Sequence, residues 1–337
     1  MKEIFSQVID SLNMISEKKS TRIVFSSPKY KPVDFDAKNF HEIKEQNQNC
    51  RMLFVDGGNA VLLESPSFSV HFLRVFGHIM QGRQKLFKEK SEFVVVVKSG
   101  NENFAVEVYP MEKNKKRFCF SLSYPVKTEE ENFVSKAAND VRRFFELQLA
   151  AKIAELKLEK NDIVVLDGTL KTRSSCEAQF FANLCMTAEQ KKLVLCSLAK
   201  TTNLVTDSGD SALVYLSGQT DLKQWYYYPV ADINDDCHKA EICIAKLNKN
   251  SGRVFRLEAY KNHKHEVDFD CLFSAAAENS KDPVFLGYPY GLIFADSHAR
   301  VSNKEKEYLR TIFLKDRRLE QYAKTLDAHD VLDSINF

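Results

Sequence analysis

Residues 53–58 read LFVDGG and residues 164–170 read VVLDGTL, so two apolar runs of this chain end in Asp-Gly. Taken alone, each is a hairpin signal, because Asp-Gly suits a tight turn with positive φ. The run AVLLES (60–65) follows the first at once and favours a hairpin there. The second has no such partner and is typical of a strand buried on both faces of a sheet. Asp56 and Asp167 are therefore either two turn residues or two parts of one site.

The order of the predicted elements indicates how the two segments are related. Strands rich in Val and Phe come first, a helix follows over about 130–158, and the short strand at 163–170 comes next. Antiparallel strands, then a helix, then a parallel central strand is the order of an RNase H-like mixed α/β sheet, with helices on both faces and peripheral insertions. In that fold the first strand and the strand after the helix are neighbours, so Asp56 and Asp167 would converge. We expect a final helix at about 295–312.

The length of 337 residues suits one large α/β domain with additions. We expect an N-terminal helical segment over 1–48, the RNase H-like domain over 49–315 and a C-terminal helical tail over 316–337. Residues 2–17 place apolar side chains at helical spacing. That helix either packs on its own domain or forms a dimer or partner contact.

Composition excludes some classes of protein. The net charge of +2 argues against a strongly basic nucleic-acid binder, although a local basic groove remains compatible with it. The eight cysteines include no C-x-x-C pair, which disfavours structural zinc and favours reduced thiols in a cytoplasmic protein. The N-terminus lacks the apolar core of a signal peptide, and no run approaches the ~20 apolar residues of a membrane span.

A third carboxylate is expected from the helix between the two Asp-Gly segments. Glu146 lies on the same helical stripe as Ala150 and Ile153, where a carboxylate is costly unless it is paired or metal-bound. Carboxylates held close together repel one another unless a cation such as Mg²⁺ or Mn²⁺ binds between them. The alternative for Glu146 is a salt bridge to Arg142 or Arg143, one turn away.

A fourth ligand is expected late in the chain. The segment ADSHARVS (295–302) offers Asp296 and His298. The alternative for Asp296 is a helix N-cap, and the alternative for His298 is a partly exposed helical histidine.

Four segments in order resemble the NurA family of DNA nucleases, which work with the HerA hexameric ATPase. They are FVDGG (54–58), VVLDGTL (164–170), CSLAKTTNL (196–204) and GYPYGLIFADSHARVSNKEKEYL (287–309). The resemblance implies an RNase H-like fold, Mn²⁺-dependent action on DNA, a homodimer, and Asp56, Glu146 and Asp167 as metal ligands.

The chain departs from the family pattern at two places. Asp-Gly-Gly and Asp-Gly-Thr stand where the family usually has Asp-Gly-Ser. The family commonly has Ala-His after the Tyr-Pro segment, whereas here Asp296 follows Ala295 and His298 comes two residues later. Either residue can fill the fourth position, and we favour Asp296.

The hypothesis is a nuclease that hydrolyses phosphodiester bonds with two Mn²⁺ or Mg²⁺ ions held by these carboxylates. Lys200 and Arg173 would contact phosphates, and Tyr288 and Tyr290 would stack on bases. The alternatives are a solvated lysine and packing tyrosines.

Two other functions compete with this one. An actin-like ATPase or sugar kinase shares the sheet core, but DGGNAV (56–61) lacks the Thr of its phosphate turn. A degenerate RNase H-like protein that binds DNA or a partner without cleaving is favoured by the shifted final motif.

Overall fold

A computed structural model of the chain describes the following residues: 2–13, 19–45, 50–100, 103–123, 133–261, 267–316 and 319. The first half of these is mostly strand. The elements are α1 (Lys2–Asn13), β1 (Ile23–Val24), β2 (Tyr30–Pro32), a 3₁₀ turn (Ala37–Asn39), β3 (Phe40–Glu42), β4 (Arg51–Ser65), β5 (Phe68–Gln81), β6 (Gln84–Ser99), β7 (Asn103–Pro110) and β8 (Phe118–Ser123).

The second half alternates helices and strands and ends in three helices. The elements are α2 (Phe133–Lys157), β9 (Ile163–Asp167), α3 (Ser175–Lys191), β10 (Val194–Ala199), β11 (Val205–Thr206), α4 (Ala212–Ser217), β12 (Trp225–Tyr227), β13 (Ala231–Ile233), β14 (Ala240–Lys246), β15 (Phe255–Tyr260), α5 (Phe269–Asn279), a 3₁₀ turn (Pro283–Phe285), α6 (Tyr290–Ala299) and α7 (Asn303–Leu314).

Eleven strands form one sheet in the order β3-β12-β14-β15-β10-β9-β4-β5-β6-β7-β8. β9 pairs in parallel with β4 on one side and with β10 on the other, and the remaining neighbours are antiparallel. The central strand β9 is wholly apolar until Asp167 because both of its faces are covered. The predicted mixed sheet, with its parallel strand after the helix, is confirmed.

Helices cover both faces of the sheet. On one face α2 and α3 enclose a core that includes Leu53 and Val55, and on the other α5 and α6 enclose a core that includes Phe54. Since successive side chains of a strand point to opposite faces, β4 contributes to both cores. This layering also confirms the prediction, and it fixes which helix approaches Asp56 from which side.

The structure corrects three predicted boundaries. Residues 51–65 are not a hairpin but one strand, and the turn to β5 comes after Ser65. The predicted final helix is two helices, because α6 ends at Ala299 and α7 begins at Asn303. The chain also does not divide at residue 48: β3 lies at the edge of the large sheet and β2 pairs with β13.

The N-terminal helix does not bury its apolar side chains against the described domain. Ile4, Phe5, Val8 and Ile9 are all exposed, so a dimer or partner contact stays a prediction. The predicted C-terminal tail lies outside the described residues except for 316 and 319. All eight cysteines are free thiols. Among the described helices, none is long and apolar enough to cross a membrane.

Candidate active site

Asp56 and Asp167 lie where β9 ends beside β4. The parallel register pairs Met52–Val55 with Ile163–Leu166, so the next residue along each strand is an aspartate. Gly168 then takes the chain out of the sheet with a φ of +89°, a left-handed conformation that costs glycine little. β4 continues past Asp56 as a strand, and only 6% of Asp56 is exposed. Asp56 is therefore not a turn residue, whereas Asp167 does precede a turn.

The two glycines after Asp56 serve close approach rather than a turn. Neither has a positive φ, since both lie within β4. A Cβ on Gly57 would lie 2.6 Å from Oε1 of Glu146 on α2. A Cβ on Gly58 would overlap the carbonyl oxygen of Ala299 at the end of α6. These glycines thus let one helix from each face reach the strand beside Asp56.

Glu146 completes a group of three acidic side chains. It is only 4% exposed, and it approaches Asp56 from α2. Burial, followed by the neighbouring carboxylates of Glu146 and Asp167, raises the pKa of Asp56 to about 7. The backbone N–H of Gly57 donates to Asp56 at 2.7 Å and opposes that rise. The structure thus brings the three carboxylates close enough together for Glu146 and Asp167 to affect the pKa of Asp56.

Two arginines of α2 hold Glu146 in place. Arg142 donates to Glu146 and to the carbonyl oxygen of Gly57, and its Nη1 lies 4.0 Å from Oδ1 of Asp56. Arg143 lies 3.1 Å from Oε2 of Glu146. The salt bridge considered as the alternative role for Glu146 is therefore present, and it does not remove Glu146 from the acidic group.

Arg143 also ties α2 to the segment after β9. It donates to the carbonyl oxygens of Asp167 (3.5 Å) and Thr169 (3.2 Å). Its Nε lies 3.5 Å from Oε1 of the buried Glu177 at the start of α3. Sequence reasoning did not assign this role, although adjacent arginines three and four residues before Glu146 were the available signal.

Lys200 and Tyr288 contact Asp167 from the other side. Nζ of Lys200 lies 3.0 Å from Oδ2 of Asp167 and 3.9 Å from Oδ1 of Asp296. Partial burial alone would lower the pKa of Lys200, but the neighbouring carboxylates, Asp167 foremost, outweigh burial and raise it. The hydroxyl of Tyr288 donates to Oδ1 of Asp167 at 3.3 Å.

Tyr288 is 1% exposed and its ring packs against Phe255 and Phe285. No base can reach that ring, which corrects the predicted stacking role. Tyr290 is half-buried and lies next to Lys85, whose Nζ is 3.4 Å from its hydroxyl.

Asp296 and His298 point to different sides of α6. Asp296 pairs with Arg300 at 2.8 Å and faces Lys200. His298 instead stacks on Phe76, with ring centroids 4.8 Å apart. Asp296 is also inside α6 rather than at its N-cap. Of the two candidates for the fourth position, Asp296 is the one on the side of the acidic group.

A cleft of about 200 Å³ opens beside the acidic group. It is lined by Asp56, Asn139, Asp140, Arg142, Arg143, Glu146, Asp167, Gly168, Thr169, Lys171, Arg173 and Glu177. Arg173 is exposed at this cleft, a position that suits contact with an anionic substrate. Acidic and basic side chains together line this cleft, a combination that matches a phosphate held against a cation.

A buried carboxylate supports the segment that follows Asp167. Glu258 on β15 is 0% exposed and accepts a hydrogen bond from the backbone N–H of Leu170 at 2.7 Å. It also contacts Nε2 of His238 at 2.9 Å and pairs with Arg256. Sequence reasoning missed Glu258 because it alternates with apolar residues in FRLEAY, a pattern typical of a solvent-facing position.

The acidic group fits a hard cation in its chemistry. Glu146 and Asp167 both raise the pKa of Asp56, and carboxylate oxygens such as these three side chains offer are the donors that Mg²⁺ and Mn²⁺ prefer. Their present partners are basic: Glu146 pairs with two arginines and Asp167 with Lys200. Accordingly, within the part of the chain that the structure describes, no three His, Cys, Asp or Glu side chains are gathered around one metal-sized position. Loading would require at least one of these ion pairs to open.

Comparison with known proteins gives a structural match alone. No family model matches the chain, and no curated protein matches it. The crystal structure of the NurA nuclease from Sulfolobus solfataricus superposes with a TM-score of 0.53 over 95% of each chain, at 14% identity. A crystal structure of NurA with manganese covers 96% of this chain and 98% of that one, at 10% identity and a TM-score of 0.46. The catalytic domain of human Endonuclease V covers 93% of this chain and 98% of that one, at 12% identity and a TM-score of 0.38. The first of these matches shows that the chain has the fold of a NurA nuclease.

Proposed function

We propose that the protein is a divalent-metal-dependent DNA nuclease that hydrolyses phosphodiester bonds. The observation that carries the proposal is the group of Asp56, Glu146 and Asp167, in which burial and the two neighbouring carboxylates raise the pKa of Asp56 to about 7. Such a group favours a cation. The fold shared with a NurA nuclease supports the same reading.

The chain's own residues have distinct roles in this proposal. Asp56, Glu146 and Asp167 would hold Mn²⁺ or Mg²⁺, two ions in all, with Asp296 completing the site. Bound cations of this kind lower the pKa of a water and offset charge on the leaving oxygen.

Arg143 positions Glu146 against the carbonyl oxygens that follow β9. Lys200 and Arg173 would neutralise phosphate oxygens, and Tyr288 orients Asp167 through its hydroxyl.

The finer points of the proposal come from the family resemblance. They are 5′–3′ exonuclease or single-strand endonuclease action in DNA end resection and repair, a HerA-type hexameric ATPase as partner, and a homodimer. The proposed cytoplasmic location comes instead from the cysteines, which are scattered and expected to be reduced. The exposed apolar side chains of α1 are available for a partner or a second copy.

A non-cleaving DNA-binding or partner-binding protein is the second candidate. The basic partners of Glu146 and Asp167 favour it, because they already neutralise two of the three carboxylates. An ATPase or sugar kinase is disfavoured, because Gly57 and Gly58 lie within strand β4 and form no phosphate-cradling turn.

Cleavage of labelled single-stranded and duplex DNA with Mn²⁺ or Mg²⁺ tests the proposal. Asp56→Asn and Asp167→Asn should each lower the rate by more than about 100-fold, since even outer-shell changes cost 10–100-fold at metal sites. Asp236→Asn, a change of a fully exposed carboxylate, is the matched control. Activity that survives both site variants would refute the proposed site, and an inactive wild type that still binds DNA would favour the second candidate.

A further inference from the structure

A row of aromatic rings runs along one side of α6. Tyr290, Phe294 and His298 follow one another at intervals of four residues, so they share a helical face. The ring centroids of Tyr290 and Phe294 are 6.0 Å apart, and those of Phe294 and His298 are 4.0 Å apart. Tyr290 and Phe294 are half-buried and His298 is exposed, so each ring presents part of its surface to solvent.

A row of lysines runs beside these rings on the neighbouring strand. Lys85, Lys88 and Lys90 of β6 pair directly with Met80, His78 and Phe76 of β5. Residues paired in this way point to the same face of the sheet. That is the face covered by α6, because Phe294 contacts the rings of both Phe76 and His78. All three lysines are exposed.

The lysines are close to the rings and largely free of carboxylates. Nζ of Lys85 lies 3.5 Å from the ring centroid of Phe294 and 5.4 Å from that of Tyr290. Lys90 pairs with Glu92, whereas Lys88 has no ion-pair partner among the described residues. Glu92 is itself held by Arg74. The surface therefore carries a net positive charge next to exposed ring area.

We infer that this surface of α6 and β6 binds single-stranded nucleic acid. Single-strand binding sites combine basic side chains along the backbone with aromatic rings on which bases stack. Rings four residues apart on a helix repeat every ~6 Å, and Lys88 and Lys90, two residues apart on a strand, are ~7 Å apart. Lys85 lies three residues before Lys88, and the register shift at Met80 keeps it on the same face. The Lys88–Lys90 spacing thus nearly matches that of the rings, so the two rows can follow successive nucleotides. An acidic peptide would pair with the lysines but would leave the rings without a stacking partner.

The two rows end beside the acidic group, so a bound strand would lie near the proposed active site. His298 closes the aromatic row and stacks on Phe76, which pairs directly with Asp56 between β5 and β4. Asp296, two residues earlier, faces Lys200, which pairs with Asp167. Gly58 admits the last turn of α6 against β4. A strand lying on the two rows would therefore approach the cleft across the end of α6. This last step rests on the proposed function, whereas the binding itself does not.

Fluorescence anisotropy with a labelled (dT)20 in EDTA, over a series of salt concentrations, tests the inference without any cleavage. The double variant Lys88→Gln/Lys90→Gln should weaken binding about 10-fold and lower the salt slope by about 1.4, the value for two lost contacts to a single strand. Tyr290→Leu should weaken binding by about 5-fold or more and leave the slope unchanged, because stacking carries no charge. The matched control is Lys113→Gln/Lys116→Gln, which removes two exposed lysines between β7 and β8.

Wild-type affinity in both the lysine variant and Tyr290→Leu would overturn the inference. So would an equal loss in the control, or equal competition by poly-glutamate and unlabelled (dT)20, since either means that charge alone is recognised. Tighter binding of a blunt duplex of the same length would also overturn it. If the wild type binds (dT)20 through this surface but cleaves nothing, the inference holds and the proposed nuclease fails. If it cleaves while both the lysine variant and Tyr290→Leu bind normally, only the inference fails.

Discussion

Gly57 and Gly58 show how a single missing Cβ shapes the candidate site. Both lie in an extended strand where any residue could adopt the backbone, so conformational freedom is not their role. What a side chain would meet differs between them. At Gly57 it would meet the side chains of Glu146 and Arg142, and at Gly58 the backbone of Ala299. Side chains can move aside, but the backbone of a packed helix cannot do so cheaply.

Gly57→Ala and Gly58→Ala should therefore fail in different ways. Gly58→Ala should lower the free energy of unfolding by about 1–3 kcal/mol or more, the usual cost of overpacking. Gly57→Ala should cost less stability but displace Glu146, so we expect a loss of Mn²⁺ affinity and of DNA cleavage. Urea unfolding, calorimetric Mn²⁺ titration and a cleavage assay measure the three quantities. Gly252→Ala is the control, because its Cβ would meet nothing within 4 Å; the reverse order of effects would contradict this reading.

At the scale of elements, the segment between β9 and α3 depends on a buried carboxylate two strands away. Glu258 accepts the N–H of Leu170 and pairs with Arg256 and His238. Hydrogen bonds and the charge of Arg256 hold the pKa of Glu258 below its usual range, against the opposing effect of burial. The position of Asp167 thus relies on contacts made after it in the chain.

Glu258→Gln should loosen this segment and weaken the fold. Removing one partner of a buried ion pair typically costs about 3–5 kcal/mol, because the other charge stays buried. We expect faster hydrogen exchange at the Leu170 amide and slower DNA cleavage well below the melting temperature. Glu241→Gln on the adjacent strand β14 is the control. If the Leu170 amide exchanges as in the wild type, Glu258 does not position the segment.

The elements also show what the sequence could and could not predict. Asp56 and Asp167 were found because parallel neighbouring strands bring equivalent residues together. The strand at 68–81 was not predicted, because His71, Arg74 and His78 interrupt its apolar pattern even though all three are buried. His71 has its partners nearby, in Ser69 and Asn59. The partners of Arg74 and His78 include Glu305 and Gly291, which lie in distant parts of the chain that no local pattern contains. The same holds for Glu258.

On the scale of the whole molecule, we expect bound Mn²⁺ to raise the stability of the fold. A ligand that binds only the folded state stabilises it in proportion to the logarithm of its concentration. Mn²⁺ should therefore raise the melting temperature of the wild type in a concentration-dependent way and leave Asp56→Asn nearly unaffected. Differential scanning fluorimetry measures this without DNA. Equal shifts in both proteins would place the bound ion elsewhere.

Two buried histidines of β5 should govern how the whole fold responds to acid. His71 is 0% exposed and contacts Ser69 and Asn59, and His78 is 1% exposed and contacts the carbonyl oxygen of Gly291. Burial lowers the pKa of each to about 4, from an ordinary 6.5. Glu64 opposes this at His71, while Lys85 and His298 reinforce it at His78.

The sign follows from proton binding. Between pH 6.5 and 4 the unfolded chain takes up a proton at each histidine that the folded chain refuses, so stability rises with pH and is lost as pH falls through this window. At the acid end of this window, each histidine lowers the free energy of unfolding by on the order of 3 kcal/mol. His71→Gln/His78→Gln should therefore flatten the dependence of the free energy of unfolding on pH, and each single variant should flatten it by about half.

Urea unfolding in EDTA at pH 4, 5, 6 and 7.5 measures the slope. The comparison with the wild type cancels the opposite contribution of Asp56, because its raised pKa is common to all four proteins. A double variant with the wild-type slope would mean that both histidines are protonated in the folded protein.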